Sequence, residues 1–149
     1  MVVETNSYIL RPEEEESMRA SSPASIASER VLPNLPSDAL VQTFLPDETM
    51  LFRYSAITDN PHRIHYDFPY ATDVEGYPAL VVNGSLPQMI LLHMFRKYAG
   101  REPIGYESRN RAAIFCGSPV TLSVCKQGER YALAAHKDDG QIAIEAEAW

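Results

Sequence analysis

Titratable side chains concentrate in the ten residues from Thr58 to Asp67, which read TDNPHRIHYD. Two of the four histidines, His62 and His65, lie there beside Asp59 and Asp67. An imidazole next to a carboxylate can act as a general acid or base near neutral pH, because the carboxylate orients the ring and tunes its pKa. The segment is therefore a candidate acid–base site, although Asp, Asn and Pro are also ordinary turn residues.

A second candidate feature is the tripeptide Asn83-Gly84-Ser85, which precedes a long apolar stretch. Glycine lets a ligand approach the backbone closely. The free N–H groups and the positive end of a following helix could stabilise a developing oxyanion. The simpler alternative is that Gly84 makes a turn and Ser85 caps the helix.

The clearest element that could position these residues is a helix over Ser85–Ala99, with Gly100 as its C′ residue. Its apolar positions cover nearly the whole circumference, which predicts a buried helix. His93 lies on it and is expected to be a core histidine. His136 adjoins a predicted turn and is expected to be solvated.

Period-two alternation predicts strands on both sides of this helix. Asp138-Asp139-Gly140 is a hairpin signal between the last two strands. One buried helix followed by an antiparallel meander predicts an α+β domain, a sheet wrapped around a helix. The strands are expected at residues 49–56, 112–116, 120–125, 131–135 and 141–148.

Composition limits the possible classes of protein. The 149 residues are 45% hydrophobic and 22% charged, which suits one globular domain. A net charge of −7 argues against nucleic-acid binding. No apolar run is long enough for a membrane span, and the acidic start is unlike a signal peptide. Cys116 and Cys125 lack metal-ligand spacing. We expect a cytoplasmic protein with an acidic, Ser-rich flexible segment at 1–30 and a domain at 31–149.

The stretch from Leu51 to Leu92 resembles the MaoC-like hot-dog hydratases and dehydratases. It is most similar to the branch with itaconyl-CoA and mesaconyl-CoA hydratase-like proteins and 3-hydroxyacyl-thioester dehydratases. The residues that carry the resemblance are LFRYSAITDNPHRIHYDFPYATDVEGYPALVVNGSLPQMILL. The resemblance implies a single hot-dog domain, an antiparallel sheet around one long helix. It also implies a hydro-lyase that adds water reversibly to a 2-enoyl thioester, with no metal and no other cofactor.

The general motif of that family is Asp-x-Asn-Pro-aliphatic-His-x5-Ala. Asn60-Pro61 matches its middle, Ile64 its aliphatic position, and His65 with Ala71 its end, while His62-Arg63 is an insertion typical of the branch. By resemblance, His65 is the catalytic imidazole and Gly84 donates its N–H to the thioester carbonyl. The substrate-binding residues expected from the same segments are Asn60, His62, Arg63, Tyr66, Asn83 and Ser85.

Two positions depart from the pattern. Thr58 stands where the wider family has Asp, a change shared with the branch, so the polar partner of His65 is expected to be Asp59 or Thr58. Asn83 stands where the branch usually has His before the glycine, which could alter the activity or suit an unusual substrate.

A lone hot-dog unit exposes a sheet edge, so a homodimer is expected. The implied substrate is an acyl-CoA or an acyl-carrier-protein thioester. Two alternatives remain: a specialised hot-dog isomerase, cyclase or dehydratase acting on a tailored intermediate, and a non-catalytic subunit that supports another hot-dog chain.

Overall fold

The computed structural model describes residues 34–149, which form five strands and two α-helices. The predicted segment 1–30 lies outside the described residues, so its boundary with the domain stays a prediction. In chain order the elements are β1 (Leu40–Phe44), α1 (Glu48–Ile57), α2 (Ser85–Ala99), β2 (Tyr106–Asn110), β3 (Val120–Gln127), β4 (Arg130–Lys137) and β5 (Ile142–Ala148).

The five strands form one antiparallel sheet in the order β1-β3-β4-β5-β2. The predicted hairpin between β4 and β5 is confirmed. Gly140 has a φ of 83°, and its N–H donates to the carbonyl of Lys137 at 3.0 Å. The Asp139 carboxylate accepts the N–H of Gln141 at 2.9 Å, which closes the turn locally.

Helix α2 packs across the sheet, and the two elements share the core. Leu91 and Phe95 of the helix are fully buried, as is Leu122 of β3. The Phe95 ring meets Tyr131 of β4 edge to face, with centroids 5.0 Å apart. Gly100 ends the helix in the left-handed region with a φ of 70°, as predicted. The sheet-around-helix arrangement is therefore the α+β fold expected.

The prediction that α2 is buried all round is wrong. Met89 is half exposed and His93 is exposed, so His93 is not a core histidine. The opposite correction applies to His136, which was expected in solvent but is buried on β4. A β-bulge lies between Ala135 and His136, and strand register there depends on distant partners rather than on the adjacent turn.

The strand predicted at residues 49–56 is instead helix α1. Asp47 caps it, because its carboxylate accepts the N–H of Met50 at 2.7 Å. Leu51 and Ser55 are buried four residues apart on one face, which is the helical spacing that the apparent alternation concealed. The strand predicted at 112–116 is also wrong, since that segment forms only an isolated bridge between Phe115 and Val81.

Candidate active site

The loop that carries the two histidines begins at a helix end. Thr58 ends α1, and the N–H of Asn60 donates to the carbonyl of Ser55 at 2.9 Å. Asp59 lies between them with a φ of 50°. This is a Schellman-type ending in which Asp59 takes the left-handed C′ position that glycine or asparagine usually fills. Asp59 therefore turns the chain away from the axis of α1.

A single 3₁₀ turn, Arg63–His65, then places His65 inside the protein, where it is only 7% exposed. Its Nδ1 lies 2.7 Å from the carbonyl oxygen of Val81. A carbonyl oxygen can only accept, so Nδ1 carries the hydrogen and Nε2 keeps its lone pair in the neutral ring. The backbone N–H of Val81 in turn donates to the carbonyl of Ile64 at 2.9 Å, which holds the two segments together.

The electrostatic surroundings of His65 favour this neutral form. Burial lowers the pKa of His65, the hydrogen bond to Val81 opposes that shift, and the nearby His62 lowers the pKa further. The two rings meet edge to face with centroids 5.7 Å apart. At neutral pH the unprotonated Nε2 of His65 is thus available as a base.

The start of α2 contributes a backbone donor. The carboxamide oxygen of Asn83 accepts the N–H of Ser85 at 3.2 Å, and its carbonyl accepts the N–H of Leu86 at 3.0 Å. Pro87 has no N–H. Among the backbone N–H groups at the start of α2, the N–H of Gly84 therefore remains available to bind a ligand. The expectation that Ser85 caps the helix is wrong, because Ser85 is the first helical residue and Gly84 is at the N-cap. The side-chain oxygen of Asn83 instead accepts the N–H of Ser85.

Both features open into one cleft of about 820 Å³. The cleft brings together seven of the residues expected at the site from the sequence. They are Thr58, Asn60, His62, His65, Asn83, Gly84 and Ser85.

Three expected residues do not line this cleft. Asp59 and Tyr66 line a smaller pocket of about 200 Å³ on the other side of the loop, together with Phe52 of α1. Arg63 points along its own turn: it makes an ion pair with Asp67 at 2.7 Å, and its guanidinium lies 4.1 Å from the centre of the Tyr70 ring. Their placement therefore gives no support to the expected pairing of Asp59 with His65.

Thr58 lines the cleft, but its hydroxyl is engaged. It donates to the carbonyl of Tyr54 at 2.8 Å, one turn back in α1. The Tyr54 hydroxyl donates to Ser85 Oγ at 3.0 Å, and Ser85 Oγ donates to Asn83 Oδ1 at 2.6 Å. The Tyr54 and Ser85 hydroxyl groups thus link α1 to the start of α2.

Sequence reasoning missed the wall of the cleft opposite the histidines. Gln88 Nε2 donates to Asn110 Oδ1 at 3.0 Å, and both residues line the cleft with Arg111. A Cβ at Gly84 would lie 2.6 Å from Asn110 Nδ2, so any larger residue at this position requires the Asn110 side chain to move. Arg111 makes an ion pair with Glu145 at 2.7 Å. No motif marked Asn110, because its contact with α2 depends on the position of β2.

The architecture defines a class of protein, the hot-dog fold, and solved structures agree. The chain superposes on the (R)-hydratase PhaJ1 of Pseudomonas aeruginosa with a TM-score of 0.66 and 17% identity, over 74% of this chain and 76% of that one. It matches the ChsH1–ChsH2 complex of Mycobacterium tuberculosis with a TM-score of 0.63 and 15% identity, over 74% and 91% of the chains. At these identities the likeness confirms the predicted fold.

The family follows from sequence similarity. Residues 1–116 match the model of hydroxyacyl-thioester dehydratase type 2, and the chain belongs to that family. It is 43% identical to mesaconyl-C(4)-CoA hydratase of Chloroflexus aurantiacus, over 73% of this chain and 39% of that protein. It is 34% identical to the mitochondrial hydroxyacyl-thioester dehydratase type 2 of Schizosaccharomyces pombe, over 57% and 29%. The alignments thus span about two fifths or less of these relatives.

Proposed function

We propose that the protein is a hydro-lyase that interconverts 2-enoyl and 3-hydroxyacyl thioesters. The observation that carries the proposal is that His65, whose Nε2 keeps its lone pair, and Gly84, which offers a backbone N–H, line one cleft. A base and an oxyanion donor are the two groups that removal of a proton next to a thioester carbonyl requires. The names of the relatives, a mesaconyl-CoA hydratase and a hydroxyacyl-thioester dehydratase, support the same chemistry.

In the dehydration direction, the thioester oxygen accepts the Gly84 N–H, and His65 Nε2 removes the proton from C2. The negative charge that moves onto the thioester oxygen is stabilised by that N–H and by the positive end of α2. The enolate then re-forms the thioester carbonyl, the C2–C3 double bond forms and the C3–O bond breaks. The departing oxygen takes up a proton from a general acid and leaves as water. Hydration reverses these steps.

The size of the cleft suits a thioester. About 820 Å³ lies within the range of small-molecule sites, so the cleft can hold an acyl group and part of a pantetheine arm. The open end could receive either CoA or an acyl-carrier protein, and we propose a thioester of one of these as the substrate.

The assembly and the compartment are proposals as well. Strand β2 lies at the edge of the sheet and leads into Asn110 and Arg111 at the cleft. Pairing of two copies would cover that edge, which supports a homodimer. Sedimentation velocity measures the oligomeric state.

Among residues 34–149, no helix is long and apolar enough to cross a membrane. A cytoplasmic location stays a proposal, which cell fractionation tests.

The decisive experiment is hydration of crotonyl-, mesaconyl- and itaconyl-CoA, followed by loss of the enoyl-thioester absorbance. His65→Gln is compared with the wild type and with His93→Gln, a matched change at an exposed histidine outside the cleft. We expect His65→Gln to lose roughly 10²–10⁴-fold in kcat/KM, the usual contribution of a general base. The control should keep wild-type activity.

Two outcomes contradict the proposal. Equal turnover by the wild type and His65→Gln would remove His65 from the mechanism. A folded wild type that is inert toward all three thioesters would reject the general hydro-lyase, and co-purification with another hot-dog chain would then favour the role of a supporting subunit.

A further inference from the structure

We propose that His62 is the second acid–base group of the cleft: it exchanges the proton of the C3 oxygen, while His65 exchanges the proton at C2. This inference rests on the proposed hydro-lyase activity and deepens it. The reaction moves two protons at two different atoms. His65 lines the cleft and has one free ring nitrogen, because its Nδ1 is bound to the carbonyl of Val81 at 2.7 Å.

The other residues of the cleft leave few groups for the second proton. The Thr58 hydroxyl already donates to the carbonyl of Tyr54, and Asp59 lines a different pocket. The side-chain oxygen of Asn83 is bound to Ser85. Among the described residues that line the cleft, the titratable side chains are His62, His65 and Arg111.

Arg111 is not suited to proton exchange. A guanidinium stays protonated at all working pH values, and this one makes an ion pair with Glu145. Neither α1 nor α2 places a titratable side chain in the lining of the cleft. Among the described lining residues, Arg111 is therefore the one charged group besides the two histidines. That leaves His62, and imidazole is the side chain that both holds and releases a proton near neutral pH.

The geometry lets both histidines act on one substrate. Their ring centroids are 5.7 Å apart and the rings are nearly perpendicular, at 84°. At this separation the two rings can contact neighbouring atoms of one bound substrate. Asn60 positions the loop, because its side-chain oxygen accepts the N–H of His62 at 3.1 Å. The His62 side chain is exposed, so it can exchange protons with solvent between turnovers.

The surroundings of His65 also suit the role of the base. His65 is buried, and the charge of His62 lowers the pKa of His65 in addition to the effect of burial. A positive charge on His62 therefore favours the neutral form of His65.

The proton balance of dehydration closes without another reactant. Neutral His65 removes the C2 proton, the C2–H electrons form the C2–C3 double bond, and the C3–O bond breaks. The leaving oxygen takes the proton of His62 and departs as water. His65 ends protonated and His62 neutral, and proton exchange with solvent restores the starting state.

The test compares His62→Gln and His62→Phe with the wild type, His65→Gln and the control His93→Gln. Dehydration of 3-hydroxybutyryl-CoA is followed from pH 5.5 to 9 by the gain of enoyl absorbance. We expect both His62 variants to lose about 100-fold or more in kcat/KM. They should also lose the fall in rate at high pH, because the wild type needs a protonated His62.

A second measurement does not depend on activity. Nitrogen-15 NMR of the imidazole rings follows the titration of His65 in each folded variant. Removal of His62 should raise the pKa of His65, because the lowering effect of its neighbour is lost. His93→Gln should leave that titration unchanged.

Each other outcome overturns the inference. Full activity in both His62 variants, with His65→Gln inactive, would reject a proton-transfer role for His62 and keep the hydro-lyase. Activity retained in His62→Phe alone would reduce His62 to a ring that packs against His65. An unchanged pKa of His65 in His62→Gln would also refute it. A folded but inert wild type would reject the hydro-lyase itself, and this inference with it.

Discussion

Replacing Gly84 with alanine adds one methyl group at the start of α2 and leaves the backbone donor in place. Gly84 has φ −59° and ψ −28°, which alanine adopts without strain, so the effect must come from packing. The new Cβ would lie 2.6 Å from Asn110 Nδ2. That is about 0.8 Å shorter than the 3.4 Å at which ordinary contact begins. Asn110 therefore has to rotate away.

The magnitude follows from what Asn110 loses. Its Oδ1 accepts the 3.0 Å hydrogen bond from Gln88, and rotation breaks that bond. A typical hydrogen bond contributes about 0.5–1.5 kcal/mol. Since the Asn110 side chain is exposed and can bind water instead, we expect Gly84→Ala to lower the free energy of unfolding by about 0.5–1 kcal/mol.

A double-mutant cycle tests this reasoning. Asn110→Ala removes the three atoms nearest to the new methyl group, so Gly84→Ala should have almost no effect on stability in that background. Urea unfolding of the wild type, both single variants and the double variant gives the coupling free energy. Equal losses in the two backgrounds would refute the steric explanation. If Gly84→Ala instead lowers kcat/KM equally with and without Asn110, the added methyl group obstructs the carbonyl of the substrate.

Three further predictions concern stability. Burial lowers the pKa of His65 and of His136, so at these two sites the folded chain binds fewer protons than the unfolded chain. The free energy of unfolding should therefore fall as the pH drops below about 6.5. Urea unfolding at pH 8 and pH 5.5 measures this, and greater stability at pH 5.5 would contradict it. Phe95→Ala removes a fully buried ring that packs against Tyr131, and it should lower the free energy of unfolding by about 3–5 kcal/mol. The control is Met89→Ala at a half-exposed position of the same helix. Equal losses in the two variants would contradict the described core. Gly105→Ala would place a methyl group in steric overlap with the Trp149 indole. It should lower the free energy of unfolding by about 1–3 kcal/mol and change the tryptophan fluorescence. An unchanged emission spectrum and melting temperature would contradict that contact.

Local signals in the sequence determined the central helix, the last hairpin and the fold class. Helix α2 and its ending at Gly100 follow from apolar spacing and a left-handed glycine, and the turn at Gly140 follows from its own side chains. These elements depend on residues that are close in the chain. The resemblance of the histidine segment to known hydratases further predicted that His65 and Gly84 act together. The structure places both in one cleft, and their roles stay proposals.

Other features were decided by residues far apart in the chain. Asp59 looked like a partner for His65, but it is used to end α1 and lines another pocket. Asn110 carried no signal, yet the position of β2 brings it against Gly84. His136 looked solvated beside its turn, and the packing of the sheet buries it. The sequence alone determined which local elements form and which residue types are available for chemistry. The tertiary structure decided which side chains reach the cleft, because burial and direction depend on contacts between distant segments.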